Sequence, residues 1–265
     1  MNEIIQQINQ SGLGKVNLLN QSKGKYVVSS MLAGLFVGLG IILIFTIGGL
    51  LMPAQVPRTK IIMGVSFGIA LSLVIMAGGE LFTGNNFIMT VSTLEKKTTW
   101  LDTFNIWLYS YVGNLAGSFL VAAIFVLTGL VTGSVAEFIQ SVASAKMNAP
   151  FMELFMRGIL CNILVCLAIW CSVKLKEETA KLIMIFWCLF AFITSGFEHS
   201  VANMTLLSIS LLVPHPETVS WAGFAANLIP VSLGNMAGGI LFVGMSYWYI
   251  AKGKKGMKDE KNIKI

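Results

Sequence analysis

Charge is what this sequence lacks most. Charged side chains make up 11% of its 265 residues, against about 25% in an ordinary soluble domain. A soluble core of this length needs a charged coat, and too few charges are present to make one. Histidine is scarce, at two residues, and so is cysteine, at four. Cys161, Cys166, Cys171 and Cys188 show neither Cys-x-x-Cys nor His/Cys ligand spacing. The first three recur every five residues, and five helical residues turn the chain by about 500°, so their thiols do not stack on one face. They read as small apolar packing residues. There is no P-loop, no zinc motif and no Ser/His/Asp set outside the apolar runs. No covalent chemistry, metal or cofactor is expected.

What is abundant is apolar length. Hydrophobic residues reach 55%, with 26 Gly and 17 Phe. A bilayer core needs roughly 20 apolar residues per helix, and six runs qualify: 26–52, 61–93, 103–131, 151–173, 180–213 and 221–250. The second and fifth are too long for one plain helix. Each turns polar in its later half, at Glu80-Leu81-Phe82-Thr83-Gly84-Asn85-Asn86 and at Glu198-His199-Ser200-Val201-Ala202-Asn203. Irregular or charged backbone survives at membrane depth only when buried in protein or lining water, so spans two and five are expected to be interrupted. Residues 1–25 are polar and weakly amphipathic (Ile4, Ile5, Ile8, Leu13), fitting a helix at the membrane interface. This stretch is no secretory leader, because the first apolar run begins near Tyr26 and is too long for an h-region. The expected organisation is an N-terminal cytoplasmic segment (1–25), a six-helix membrane domain (26–250) and a basic cytoplasmic tail (251–265).

Loop charge sets the orientation. Lys15, Lys23, Lys25, Lys96, Lys97, Lys174, Lys176, Lys181 and the tail lysines 252, 254, 255, 258, 261 and 264 fall on one side. Arg58, Lys60, Lys146 and Arg157 fall on the other. Positive residues stay cytoplasmic, so both termini are placed in the cytoplasm of a cytoplasmic (inner) membrane. The basic tail reads as a membrane-flanking anchor, with no nucleic-acid partner.

The two halves share landmarks in one order. Gly113-Asn114-Leu115-Ala116-Gly117 answers Gly234-Asn235-Met236-Ala237-Gly238, Glu80…Asn85 answers Glu198…Asn203, and Gly34/Gly38 answer Gly158/Asn162. Each half has three spans, an odd number, so the second half enters from the opposite face. The expected fold is an all-α integral membrane protein of two inverted three-helix repeats, and paired interrupted helices mark the transport site. The Gly-x-x-x-Gly pairs at 34/38, 64/68, 113/117 and 234/238 are assigned to close helix packing.

Ionisable residues at membrane depth are Glu80, Glu198 and His199. The symmetric pair Glu80 and Glu198 suits a structural role, accepting from orphan N–H groups beside each broken helix. His199 has no counterpart, since Leu81 takes its place, and an asymmetric titratable residue at a symmetric site is a candidate for the solute path. Lys146, in the loop between spans three and four, can draw anions into a vestibule or stand equally as a plain solvated loop charge. Thr83, Asn162 and Asn203 are polar groups at depth that can hold an oxyanion or pair with backbone. Phe67, Leu71, Leu81, Phe82 and Phe192 can form apolar gates, although residues of this kind are far more often plain core.

The motifs Gly79-Glu80-Leu81-Phe82-Thr83-Gly84-Asn85, Leu160-Cys161-Asn162 and Ser195-Gly196-Phe197-Glu198-His199-Ser200-Val201-Ala202-Asn203-Met204 resemble the formate/nitrite transporter family along nearly the whole chain. Residues 37–46 are most similar to its nitrite-channel branch. The resemblance implies a homopentamer with an aquaporin-like protomer and one pore per protomer. It implies a cytoplasmic slit at Phe67, Leu71 and Leu81 and a periplasmic slit at Phe82 and Phe192. It sets Thr83 beside a central His199, makes Lys146 the vestibule lysine and makes Asn162 a pore-lining amide. The expected function is passage of small monovalent anions, nitrite first, with proton linkage through His199; formate or hydrosulfide is the alternative. A neutral-solute pore of the water or glycerol type is disfavoured, because the paired Asn-Pro-Ala loops of such pores are absent.

Overall fold

A computed structural model describes residues 1–252. The basic tail beyond Lys252 lies outside the described residues. Every regular element among those described is helical. Helix α1 (Asn2–Gln21) leads through Ser22, whose hydroxyl accepts from the Lys25 N–H, into α2 (Lys23–Leu51). Span two begins as α3 (Thr59–Ser66) and α4 (Ile69–Leu73), continues through a π-helical turn (Val74–Gly78), breaks, and resumes as α5 (Phe82–Leu94). Span three is α6 (Trp100–Leu127), opened by a capping box in which the Asp102 N–H donates to Thr99 Oγ1 and the Thr99 N–H donates to Asp102. After α7 (Gly133–Met147) come span four, α8 (Phe151–Lys174), and span five, α9 (Glu178–Ser195) followed by α10 (Ser200–Leu212). Span six runs through α11 (Trp221–Ala237), a π-helical stretch (Gly238–Met245) and α12 (Ser246–Lys252).

Among the described residues, six helical stretches are long and apolar enough to cross a membrane. The half-helices α5 and α10 have 13 residues each, about 20 Å of helix, too short to cross alone. Their burial explains their polarity. All of α5 except Leu94, and α10 from Ser200 to Ser210, is buried within protein. The chain breaks where expected, over Gly79–Leu81 and Phe197–His199. Gly78 ends the π-turn at φ 85° and Gly196 ends α9 at φ 78°, conformations that favour glycine.

Two helix crossings fix the frame, α2 on α6 and α8 on α11. A Cβ on Gly117 would collide with the Met31 carbonyl and one on Gly34 with the Asn114 carbonyl. In the other half, a Cβ on Gly234 would meet the Phe155 carbonyl and one on Gly238 the Ile159 carbonyl. These glycines let backbones touch, the main source of helix affinity in lipid. Gly117→Val is therefore expected to lower the yield of monodisperse, detergent-extracted protein several-fold, because forcing such a crossing apart costs about 1–3 kcal/mol or more. A normal elution profile and yield for that variant would contradict this packing.

Two readings of the sequence change here. Residues 1–25 do not merely lie at an interface. One face of α1 is buried against protein, with Ile5 and Ile8 packing among Phe87, Ile88 and Val91, and Leu19 among Tyr26, Met89 and Ile106. Lys146 sits in the last turn of α7, not in an open loop.

Candidate functional site

The site begins with the two breaks. Interrupting a helix leaves backbone groups without partners, and in a bilayer each costs several kcal/mol. Two buried asparagines satisfy them in the same way. Asn114 accepts from the Phe82 N–H (2.8 Å) and donates to the Ser30 (2.7 Å) and Glu80 (2.8 Å) carbonyls. Asn235 accepts from the Ser200 N–H (2.9 Å) and donates to the Gly158 (2.8 Å) and Glu198 (2.9 Å) carbonyls. The duplicated Gly-Asn-x-Ala-Gly motif carries this function in its asparagine. The bonds also pair Ser30 with Gly158, and hence Gly34 with Asn162, one helical turn away from the pairing that the glycine pattern suggested.

The acidic residues do another job than capping orphan N–H groups. Glu80 accepts from Lys15 Nζ (2.7 and 2.9 Å), the Tyr26 hydroxyl (3.1 Å) and Asn85 Nδ2 (3.2 Å). Glu198 accepts from Lys146 Nζ (2.6 Å) and Asn203 Nδ2 (2.7 Å). Asn203 donates further to Asn227 Oδ1 (2.8 Å), and Asn227 Nδ2 donates to the Lys146 carbonyl (3.0 Å). Each carboxylate thus pairs with a lysine from an amphipathic helix that precedes its half's first span, α1 or α7. Lys15 and Tyr26 are site neighbours that sequence reasoning missed; nothing in the sequence links Lys15 to a carboxylate 65 positions away.

His199 and Thr83 meet at the centre. The Ala202 N–H donates to His199 Nδ1 (3.2 Å), so the imidazole caps α10 and Nδ1 carries no proton. The proton therefore lies on Nε2, which donates to Thr83 Oγ1 (3.0 Å). Both ring nitrogens are engaged, and a second proton could enter only by breaking the cap. Phe192 stacks on His199 at 6.1 Å between centroids, and Phe67 meets Phe192 edge-on at 5.5 Å.

Cavities approach His199 from two directions, while Thr83 lies behind it and lines none of them. On the α1 side a vestibule of about 700 Å³ is lined by Lys15, Glu80, Leu71, Leu81, Glu178 and Lys181. On the α7 side one of about 360 Å³ is lined by Lys60, Lys146, Arg157, Phe192, Glu198 and His199. Between them lies a chamber of about 10 Å³ walled by Phe67, Leu71, Leu81, Leu189, Phe192 and His199, room for about one water molecule. Leu71 and Leu81 separate the chamber from the first vestibule, Phe192 and His199 from the second. Phe82 faces none of these cavities; it is buried and packs edge-on against Tyr111 at 4.9 Å. Asn162 is fully buried and faces none of them either. It donates to the Thr83 (3.2 Å) and Asn235 (2.6 Å) carbonyls. Asn203 does line the α7-side vestibule. Lys146 is tied to Glu198 and the partly exposed Arg157 to Glu153, so the unbalanced positive charge there belongs to Lys60, which makes no ion pair among the described residues.

Six apolar spans, two buried half-helices and two vestibules closing on one buried histidine define a polytopic membrane transport protein. A family model described as formate/nitrite transporter matches residues 2–249. The nitrite transporter NirC of Salmonella typhimurium is 48% identical over 84% of this chain and 81% of its own length. Among solved structures, one described as an FNT family ion channel superposes with a TM-score of 0.90 at 42% identity, covering 94% of this chain and 99% of that one. A pentameric formate channel with formate bound superposes with a TM-score of 0.77 at 29% identity, covering 87% and 98%. The chain belongs to the formate/nitrite transporter family.

Proposed function

We propose that this protein is a channel-like transporter for small monovalent anions, nitrite first, working as a homopentamer in the cytoplasmic membrane with both termini cytoplasmic. The observation that carries the reading is His199, hydrogen-bonded to Thr83 and set in the wall of an apolar constriction on which two vestibules converge. Similarity to a nitrite transporter supports the solute, and similarity to a pentameric channel supports the assembly. The lysine distribution between loops supports the topology, which puts α1 inside and α7 outside. The matched Asn114/Asn235 and Glu80/Glu198 networks support two inverted repeats.

The chemistry follows from solvation. A bare anion gains from the outer vestibule, where Lys146 pairs with Glu198 and Arg157 with Glu153, leaving the Lys60 charge over. The inner vestibule is balanced, Lys15 and Lys181 against Glu80 and Glu178. Between them Phe67, Leu71, Leu81 and Phe192 offer no partner, so an unpaired ion faces a steep desolvation cost. An anion oxygen reaching the chamber competes for the Nε2–H that His199 otherwise gives to Thr83. A solute entering with its own proton crosses the apolar walls more cheaply still, which makes flux rise with acidity. His199 then acts as a hydrogen-bond donor, and its capped Nδ1 argues against its serving as the proton source.

Formate is the second reading, favoured by the formate-bound structural relative. The test is competition in proteoliposomes bearing the purified protein, with a nitrite gradient opposed by excess formate, hydrosulfide or chloride. Nitrite should move fastest and formate should compete, with chloride ineffective. If formate outpaces nitrite, the branch assignment is wrong.

A further inference from the structure

We infer that Asn162, Cys166 and Gly239 form a clamp that positions Thr83 against His199, and that this clamp is the exchanged form of a simpler one in the other half. The inference rests on the proposed role of the His199–Thr83 pair in the solute path.

Thr83 is the second residue of α5 and Val201 the second residue of α10. The carbonyl of each lies in the first turn of a half-helix wedged between two spans. In the second half the Val201 carbonyl is approached by Ser118 Oγ at 3.5 Å, from the residue after Gly117 on α6. Ser118 Oγ also lies 3.4 Å from the Gly34 carbonyl, and Gly34 is the residue paired by the Asn114/Asn235 networks with Asn162. There the donor sits on span three and the small residue on span one. In the first half the order is reversed. Two donors sit on span four, one turn apart: Asn162 Nδ2 donates to the Thr83 carbonyl (3.2 Å), and Cys166 Sγ lies 3.6 Å from the same oxygen. The small residue sits on span six. Gly239, which follows Gly238 as Ser118 follows Gly117, has no side chain, and a Cβ there would come 2.8 Å from Asn162 Nδ2 and 3.2 Å from Cys166 Sγ. Span six turns π-helical at this point, over Gly238–Met245, whereas α6 stays regular.

The exchange has a consequence at the centre. A carboxamide is longer than a hydroxymethyl group, is planar and carries two N–H groups, so Asn162 ties the Thr83 carbonyl and the Asn235 carbonyl together. The α5 turn that aims Thr83 Oγ1 at His199 is thereby linked to the residue holding the α10 turn that carries His199. Asn162, Cys166 and Gly239 touch no solute in this account. They are positioning residues.

The test is to rebuild the simpler clamp in the first half. Asn162→Gly removes the donor, and Gly239→Ser pushes a side chain into the clamp. Each alone should lower nitrite flux by about tenfold, the scale of one lost buried hydrogen bond. The double variant N162G/G239S restores a serine donor opposite a glycine, and should recover flux to within about threefold of wild type. A double variant no better than the worse single variant, with all three proteins monodisperse, overturns the inference. Should any of them fail to fold, Cys166→Ala decides. It should raise the half-saturating nitrite concentration by about threefold with maximal flux retained, and unchanged kinetics overturn the clamp. His199→Phe, run alongside, separates the two levels. If that variant transports normally, the proposed solute path falls. If it is inactive while Asn162→Gly behaves as wild type, only the clamp falls.

Discussion

Replacing His199 with phenylalanine is expected to reduce protein-mediated nitrite flux by about 100-fold at both acidic and neutral pH. Three losses coincide. The chamber loses its polar wall, since Phe67, Leu71, Leu81 and Phe192 supply no donor. Thr83 loses its partner at 3.0 Å. The first turn of α10 loses the cap on Ala202, worth about 1 kcal/mol. A hydrogen bond to a charged group contributes about 1.5–3 kcal/mol, which gives the fold-change. The acid-stimulated component of flux should vanish with the rest, since it uses the same path. Stopped-flow uptake into liposomes containing equal amounts of folded protein reads the result. Near-normal rates with unchanged pH dependence would remove His199 from the mechanism.

The second large effect concerns stability. Lys146→Met leaves Glu198, whose side chain is 4% exposed, with Asn203 as its one remaining side-chain donor among the described residues. Stranding a buried charge costs about 3–5 kcal/mol. For a chain of this size that lowers the apparent unfolding midpoint in detergent by about 10 °C. Adding Glu198→Gln removes the charge while keeping the shape, and should recover most of the loss. The matching change at the other end, Lys15→Met, should cost less. Glu80 is more exposed, at 14%, and keeps both Tyr26 and Asn85. Equal losses at the two ends, or no rescue by Glu198→Gln, would show that the ion pairs do not hold the breaks as described.

Much of this architecture can be read from residues alone, because a bilayer allows few solutions. Apolar length gives the spans, and a carboxylate inside an overlong run can only mark a broken helix. What could not be read depends on contacts distant in sequence. Lys15 reaches Glu80 because α1 folds back under α5, and a polar 20-residue stretch gives little sign of that docking. Helix α7 is short and of mixed polarity, so its lysine passes for a loop residue. Asn114 and Asn235 stand inside glycine motifs and were overshadowed by their neighbours, although an amide in a packing motif is itself a signal. Polarity or aromaticity at pore depth leaves two facings open for Asn162 and Phe82, pore lining or packing against backbone and core. Rotation about the helix axis decides which way they face, and it turns Asn162 toward the Thr83 carbonyl and Phe82 toward Tyr111. The one-turn shift in the repeat has a similar origin. Glycine spacing of four fits two registers, and only the asparagine hydrogen bonds choose between them.

Small anions rather than neutral solutes are expected to pass between the two vestibules. Liposomes containing the purified protein, given an inward nitrite gradient in one set and a glycerol gradient in another, test it directly. Nitrite entry should stand well above that of empty liposomes, faster on the acid side, with glycerol permeability unchanged. Glycerol entry without nitrite entry would contradict it.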